Sequence, residues 1–484
     1  MKLTVGLVAT LWVQLQLTQG LQPVIRDYSN PSTPASQFRL AYNGAEGVTV
    51  SWNSPSQINS PQVWYGEDPN NLVASSPGTS TTFSTATSWD NHVTIGNLKP
   101  NTKYYYRVTG LADNFDVVGQ NFYFTTARTT GDRTPYSIGF IADLGIVIGN
   151  LFGKQIPDTF DSILSARDSL DFLWHSGDFG YADDWLWEEL TGAYPLNLDG
   201  GVATYNNIMN SYYDQFVNVT KNTPYMVGPG NHEADCIEPD LDYITNKFDL
   251  TICPSGQRNF TYHRNHFAMP TAEQAQDYFQ NLWYSWNHGM THFVQINTET
   301  DLAAGTTAPD EPGGDGGLDA GPFGFPNQQL QWLEADLAAV DRTKTPWLVV
   351  AGHRPWYSAS TVCTECQEAF ENLVIKYKVD LVMAGHVHYY ERDAPVANGV
   401  VDPNGLNNPS APWYITNGAA GNFEGHSSNS GKNPSYTSII NNSDYGWSKL
   451  TFHNSTHLTH DFISSETDQV LDTATLYKDH GLGW

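Results

Sequence analysis

The stretch Leu170-Asp171-Phe172-Leu173-Trp174-His175-Ser176-Gly177-Asp178-Phe179-Gly180-Tyr181 decides how the rest of the chain is read. The apolar run Leu170 to Trp174 reads as a buried strand, so Asp178 and Tyr181 fall on the loop just past its carboxyl end. A carboxylate and a phenol three residues apart can both reach one hard cation. Alone, the pentapeptide Gly177 to Tyr181 is ordinary turn chemistry, and a Tyr after Gly-Asp usually packs as an aromatic.

The pattern recurs along the chain. Tyr136 to Ala142 reads as a strand and is followed by Asp143-Leu144-Gly145. Thr223 to Pro229 leads into Gly230-Asn231-His232-Glu233, Trp347 to Ala351 into Gly352-His353, and Val379 to Ala384 into Gly385-His386-Val387-His388. Each run ends in Gly or Asp and then presents an oxygen or imidazole ligand, which is where open α/β sheets build their sites.

With 484 residues the chain has room for two or three domains. Charged residues make up only 15% and aromatics 13%, with abundant Gly and Pro, as in a loop-rich globular enzyme. A formal net charge of -28 argues against nucleic acid as a partner, because phosphate backbones would be repelled. Lys2, the apolar Leu3 to Val13 and the small residues Thr18 and Gly20 predict a cleaved secretory signal over residues 1–20. No segment is long enough to span a bilayer. In a secreted chain the triplets at Asn218, Asn259, Asn441 and Asn454 are glycosylation acceptors. The four cysteines then suggest two disulfides, with Cys236–Cys253 and Cys363–Cys366 the nearest of three possible connectivities. Cys363-x-x-Cys366 also suits redox or metal chemistry, but no second pair stands at zinc-site spacing.

Residues 21–128 alternate apolar and polar positions between turns, with Thr49 to Trp52 and Val63 to Tyr65 as short strands. The run Leu98 to Val108 resembles the tyrosine-corner strand of fibronectin type III-like sandwiches, which places a small β-sandwich here with a packing role. From 129 to 394 strands alternate with helical stretches at Thr159–Arg167, Tyr205–Val219, Asn327–Val340 and Cys366–Tyr377. The third of these carries Leu330, Leu333 and Leu337 on one face. This pattern predicts an α/β domain with a largely parallel sheet covered by helices. The segment Ala303 to Gly324 reads as a long surface loop. Residues 395–484, with strands at Trp413–Thr416, Gly446–His453 and His457–Ile463, read as a C-terminal β extension of the same globular unit.

The strand-end residues Asp143, Asp178, Tyr181, Asn231, His353, His386 and His388 make seven oxygen or nitrogen ligands. That set is too large for one ion and suits two ions sharing a carboxylate. Two metals about 3.5–4 Å apart clamp a phosphoryl group and generate a hydroxide nucleophile. Phenolate and carboxylates favour Fe(III) on one side, and imidazoles with an amide oxygen suit Zn(II), Fe(II) or Mn(II) on the other.

These blocks, in this order, resemble the motifs of purple acid phosphatases within the binuclear metallophosphoesterases, and Tyr181 is the specific element. The sandwich resembles the N-terminal domain of the larger plant and fungal members. Trp413 to Gly418 and Tyr445-Gly446-Trp447 resemble their C-terminal extension. The resemblance implies Asp143, Tyr181 and His388 on Fe(III), Asn231, His353 and His386 on the divalent ion, and Asp178 bridging. It implies a metal-bound hydroxide that attacks phosphorus in line, with His232 bonding phosphate or protonating the leaving alkoxide. Plant members carry a His pair on the loop after the His353 block, whereas Ser358 to Cys366 has none. Arg354 is read as a phosphate partner or an ordinary ion-pair former. Glu233 is read as orienting a neighbour, His175 as a strand cap, and His263, His266, His288 and His292 as packing residues.

The first reading is a secreted acid phosphatase acting on small phosphate monoesters. The second keeps the metals but acts on diesters or nucleotide pyrophosphates. The third is a cell-surface binding protein with a vestigial metal site.

Overall fold

The computed structural model describes residues 35–111, 122–146, 159–190, 201–234, 255–257, 260–270, 281–300, 302, 327–429 and 431–481. The signal segment, Cys236, Cys253, Asn259 and the loop 303–324 lie outside these residues.

Ser36 to Thr125 form two four-stranded antiparallel sheets. One orders Ser36–Tyr42, Val48–Ser54, Trp89–Ile95 and Thr79–Thr81; the other orders Ala74–Pro77, Gln62–Gly66, Lys103–Val108 and Tyr123–Thr125. Val50, Trp52, Val63, Val93, Tyr106 and Phe124 are buried between them. The Tyr104 hydroxyl accepts the Lys99 N–H at 3.1 Å, closing the corner read from Leu98 to Val108.

This sandwich is bonded to the domain that follows. Strand Ser36–Tyr42 lies on helix Val202–Thr220, where Gln37 donates to Asn210 at 3.0 Å and Thr220 donates to the Phe38 carbonyl at 2.7 Å. Tyr42 and Tyr106 send their hydroxyls to the carbonyls of Asp171 and Lys221, at 2.9 and 2.8 Å. One apolar cluster runs through both units.

The domain that follows is built on two mixed sheets. A six-stranded sheet orders Tyr225–Gly228, Leu173–Ser176, Tyr136–Ile141, Gly446–Phe452, His457–Ser464 and Val470–Tyr477. A seven-stranded sheet orders Tyr284–His288, Thr291–Gln295, Trp347–Ala351, Leu381–Ala384, Trp413–Asn417, Tyr390–Asp393 and Thr437–Asn441. The largely parallel sheet expected from the sequence is therefore corrected. Parallel pairing is confined to the strands that carry site loops and their immediate neighbours. The antiparallel pairs are the hairpin of Tyr284–His288 with Thr291–Gln295 and those made by chain beyond residue 389, and Trp413–Asn417 and Gly446–Phe452 enter the two sheets next to ligand-bearing strands.

Aromatics hold the sheets face to face: the Trp174 ring stands 5.2 Å from Trp286 and 5.6 Å from Phe293, and Phe293 stands 5.7 Å from Phe452. Along Trp347 to Ala351 the residues alternate. Trp347, Val349 and Ala351 face the other sheet, while Leu348 and Val350 face a cluster that includes Leu333, Leu337, Phe370 and Val374 of helices Gln328–Ala339 and Thr364–Lys376. Burial on both faces explains the unbroken apolar runs. Each such side chain stabilises the fold by roughly 1.5–3 kcal/mol. Helices Thr159–Ala166 and Val202–Thr220 cover the other sheet through Phe160, Tyr212 and Phe216. The carboxyl ends of the parallel strands, at Ile141, Ser176 and Gly228 in one sheet and Ala351 and Ala384 in the other, carry the site loops.

Several imidazoles are sealed in neutral form. His460 is fully buried, bonds Ser448 at 2.8 Å and stacks on Tyr390; burial holds it down at about 3. Burial and the Arg39 charge hold His92 at about 4. A folded value below the unfolded one means that the unfolded chain binds protons the native state refuses. That stability is complete above pH ~6.5 and is lost as the pH falls toward the folded values, at about 1.4 kcal/mol per pH unit for each histidine. We expect His460→Phe to be less stable than the parent at pH ~7 and the gap to close as the pH falls to ~4.5. Urea unfolding at several pH values checks this, and a gap independent of pH would refute it.

Candidate metal centre

Loops from five strands converge at one edge of the paired sheets. They bring Asp143, Asp178, Tyr181, Asn231, His353, His386 and His388 together. Asp178, His353 and His386 form one cluster of ligand atoms; Asp143, Asp178 and His388 form a second, and Asp178 belongs to both. Asn231 Oδ1 lies 3.0 Å from His353 Nε2 and 3.0 Å from His386 Nδ1. The Tyr181 hydroxyl lies 3.0 Å from His388 Nε2 and 3.4 Å from Asp143 Oδ1.

This donor set fits two cations. Asp178 is 1% exposed, and its Oδ2 has no hydrogen-bond partner although His353 Nε2 is 2.9 Å away. A buried carboxylate oxygen aimed at other ligand atoms but bonded to none is what a shared cation would satisfy. All donors are oxygen or nitrogen, which suits hard and borderline ions.

The surroundings fix the ligands' orientation. His353 Nδ1 faces the Ser176 carbonyl at 2.9 Å and His388 Nδ1 the Gly425 carbonyl at 3.2 Å. Because a carbonyl only accepts, both Nδ1 atoms carry the proton and both Nε2 atoms keep a lone pair for a metal. Asn422 donates to the Tyr181 hydroxyl at 2.8 Å. Glu233 accepts the backbone N–H groups of Asp178, Phe179 and Gly230, each at 2.8 Å, and so ties two ligand loops together. Burial and the Asp178 charge push its carboxyl up to about 8 against the pull of those donors. Asp143, Asp178, Tyr181 and His386 all adopt left-handed backbone, with φ of 61°, 60°, 58° and 66°. Gly177 is required by contact: a Cβ there would lie 2.7 Å from His353 Nδ1 and 2.6 Å from the Gly230 nitrogen.

Charge in the pocket is unbalanced toward the negative. Burial alone would lower His353, yet Asp178 and Asp143 raise it to about 10. Burial would raise Asp178, but His353 and His232 hold it far below the usual carboxylate range. Burial followed by Asp143 and Asp178 drives the Tyr181 phenol well up, so a phenolate there needs a cation.

His232 lies beside the cluster. Its ring is 4.2 Å from that of Tyr181, its Nδ1 meets the Asp183 carboxylate at 2.7 and 2.9 Å, and its Nε2 is 3.9 Å from Asp178 Oδ2. Sequence reasoning missed Asp183 and Asn422. Asp183 had a faint signal, an acid two residues past Tyr181; Asn422 comes from a distant loop and had none. Arg354 bonds Glu299 at 2.7 Å and reaches His386 Nε2 at 3.2 Å, which makes it an ion-pair former. His175 lies within its strand instead of capping it and bonds the Tyr225 hydroxyl at 2.6 Å. His263, His266, His288 and His292 lie outside the ligand clusters.

Cys363 and Cys366 are bonded to each other. Asn218 is exposed near the end of its helix. Asn441 and Asn454 hold turns, accepting N–H groups two and three residues on.

Comparison with known proteins agrees with this architecture. Residues 35–126 match the family described as purple acid phosphatase, N-terminal domain, residues 136–390 match calcineurin-like phosphoesterase, and residues 411–473 match iron/zinc purple acid phosphatase-like protein C. Acid phosphatase A of Cryphonectria parasitica is 40% identical over 93% of both chains. The chain belongs to the purple acid phosphatase family. It is 31% identical to an acid phosphatase of Aspergillus ficuum, over 93% of this chain and 88% of the relative. It is 28% identical to purple acid phosphatase 21 of Arabidopsis thaliana, over 92% and 86%. The purple acid phosphatase from yellow lupin (Lupinus luteus) seeds shares the fold, with a TM-score of 0.71 at 23% identity over 92% of this chain and 75% of that one. The chain is thus a metallophosphoesterase-fold phosphatase, of a family that uses a binuclear metal centre.

Glu233→Gln replaces an acceptor oxygen with a donor facing backbone N–H groups. We expect metal affinity to fall about 10–100-fold, the usual cost of an outer-shell change, with the fold retained. Metal analysis after dialysis against a graded chelator series checks this, and unchanged retention would contradict it.

Proposed function

We propose that this phosphatase is secreted and hydrolyses small phosphate monoesters at a centre of one ferric and one divalent ion, the latter Zn, Fe or Mn. The observation that carries the reading is the cluster pair sharing Asp178, with Tyr181 on one side only. Asp143, Tyr181 and His388 would hold the ferric ion, Asn231, His353 and His386 the divalent ion, and Asp178 would bridge them. When bound, the two ions lower the pKa of water and neutralise charge on the phosphoryl oxygens.

The chain's own groups do the rest. Asp143 and Asp178 supply the anionic charge that holds the ions, and the carbonyls of Ser176 and Gly425 aim two of the three imidazoles. His232 directs Nε2 toward the centre while Asp183 holds Nδ1. Burial would lower His232, but Asp183, Asp178 and Asp184 keep it well above its ordinary value. It is therefore placed to bond a phosphoryl oxygen and to give its Nε2 proton to the leaving alkoxide. No helix among the described residues is long and apolar enough to cross a membrane. The leader over residues 1–20 and the acceptors Asn218, Asn259, Asn441 and Asn454 support a secreted, glycosylated product.

Purified protein should contain iron and a divalent metal and show a broad visible band that Tyr181→Phe abolishes. Asp178→Asn should lower turnover of an aryl monoester by more than about 100-fold, beyond the usual cost of an outer-shell change. Absorption spectra, metal analysis and steady-state rates check these outcomes. Faster turnover of a bis-aryl diester than of the monoester would favour a diesterase, and full activity in Asp178→Asn would sink the metal mechanism.

A further inference from the structure

Away from the ligand cluster the fold seals a second pair of acids. Glu391 and Asp393 lie two apart on strand Tyr390–Asp393, hence on one face, and both are fully buried. One Glu391 oxygen accepts from the Ser358 hydroxyl at 3.1 Å, the Ala359 N–H at 2.9 Å and the Tyr389 hydroxyl at 3.0 Å. The other accepts from Thr437 at 2.7 Å. Neither oxygen of Asp393 has a partner in hydrogen-bond geometry, and the Thr437 hydroxyl near it spends its proton on Glu391. A buried acid surrounded by donors holds its charge, and one without them keeps its proton. Both are satisfied when Asp393 carries the proton and gives it to Glu391. The groups facing the pair from neighbouring elements are Tyr389, Tyr414 and Tyr436, all phenols. Arg392 is the nearby cation, and it is spent on Asp472 at 2.6 and 3.1 Å. Among the described residues no cation forms an ion pair with Glu391 or Asp393.

The donors from Ser358 and Ala359 belong to a segment that leaves the strand end bearing His353. The Ser358 hydroxyl also meets the Tyr389 hydroxyl at 2.8 Å, one residue past His388, and the Ser358 carbonyl accepts from Tyr436 at 3.1 Å. Tyr357–Ser360 therefore forms a wall that ties the loop carrying His353 to the chain just past His388, and Ser360 and Val362 bring its edge to solvent.

We propose that Glu391, with Asp393 as its proton-sharing partner, is a positioning residue that fixes the wall Tyr357–Ser360 beside the ester's organic group and so sets substrate affinity. The inference rests on the monoesterase reading for its kinetic consequence, but the pair itself is independent of it. Burial and the Glu391 charge hold Asp393 well above the usual carboxylate range. For an acid raised in the folded state, order is complete while the proton stays and is lost as the pH rises through the raised value. The wall is then closed at acidic pH and loosens toward alkaline pH, where two charges share one sealed site.

The test compares the metal-loaded parent with Asp393→Asn and Glu391→Leu, following the hydrogen-exchange protection factor of the Ala359 amide and steady-state kinetics on an aryl phosphate. At pH ~5 the parent and Asp393→Asn should protect that amide equally. At pH ~8 the parent's protection should fall at least about tenfold while Asp393→Asn keeps it. Glu391→Leu, which has no acceptor for the Ala359 N–H, should lack protection at both pH values and raise KM about tenfold, with kcat within about twofold and metal content unchanged. Parent-like protection in Glu391→Leu, or the same pH response in the parent and Asp393→Asn, would overturn the pair. The expected exchange pattern in a parent without phosphatase activity would support the pair while removing the monoesterase reading.

Discussion

Burying Asp178 is the constraint on which the site depends. A carboxylate removed from water costs several kcal/mol unless donors or cations replace the lost hydration. Here one oxygen accepts the His232 N–H at 3.1 Å and the other is left facing imidazole ligand atoms. The chain has put a charge where its own donors do not satisfy it. Cations complete the arrangement, and the raised His353 and depressed Asp178 express the same imbalance in terms of protons.

Keeping that geometry also costs backbone energy. Four of the seven ligand positions have positive φ, a region that non-glycine residues occupy at roughly 1–3 kcal/mol each. Such strain persists only where the surroundings leave no alternative. Glu233 supplies part of that restraint by fastening the loop of Asp178 to the loop of Asn231 through backbone N–H groups. The rest comes from the paired sheets. Trp174, Trp286 and Phe293 lock their faces together, so strand ends belonging to different sheets meet at fixed distances.

Those same facts explain what could be read from the sequence. The strands that bear the loops are apolar on both faces and end in Gly or Asp, so their ends and the side chains beyond them stand out in a linear reading. Asp143, Asp178 and His386 were visible because ligand chemistry needs specific residue types at a strand end. Asn422 was not, since an amide 241 residues from Tyr181 is indistinguishable from any loop Asn until the chain folds. The mixed character of the sheets was hidden for a related reason. A buried run such as Trp413 to Thr416 has the same composition whichever way its neighbour points, and only the fold shows it beside Leu381–Ala384. The sandwich was legible from its corner tyrosine, but its attachment through Gln37, Tyr42 and Thr220 uses residues that look like ordinary strand and helix polars.

Acid conditions act on frame and site in opposite senses. In the frame, the buried His460 and the half-buried His92 are held neutral, so each loses stabilising power as protons become abundant. At the site, His232 gains its charge easily because Asp183 and Asp178 flank it. A protein working in acid must therefore carry the frame's loss without letting the site loosen. The single apolar cluster running from the sandwich through both sheets supplies that reserve, because dispersion and hydrophobic burial do not titrate. Separating the two kinds of energy, proton-dependent at the ligand edge and proton-independent through the core, allows chemistry at low pH to proceed on a scaffold whose sheet ends stay in register.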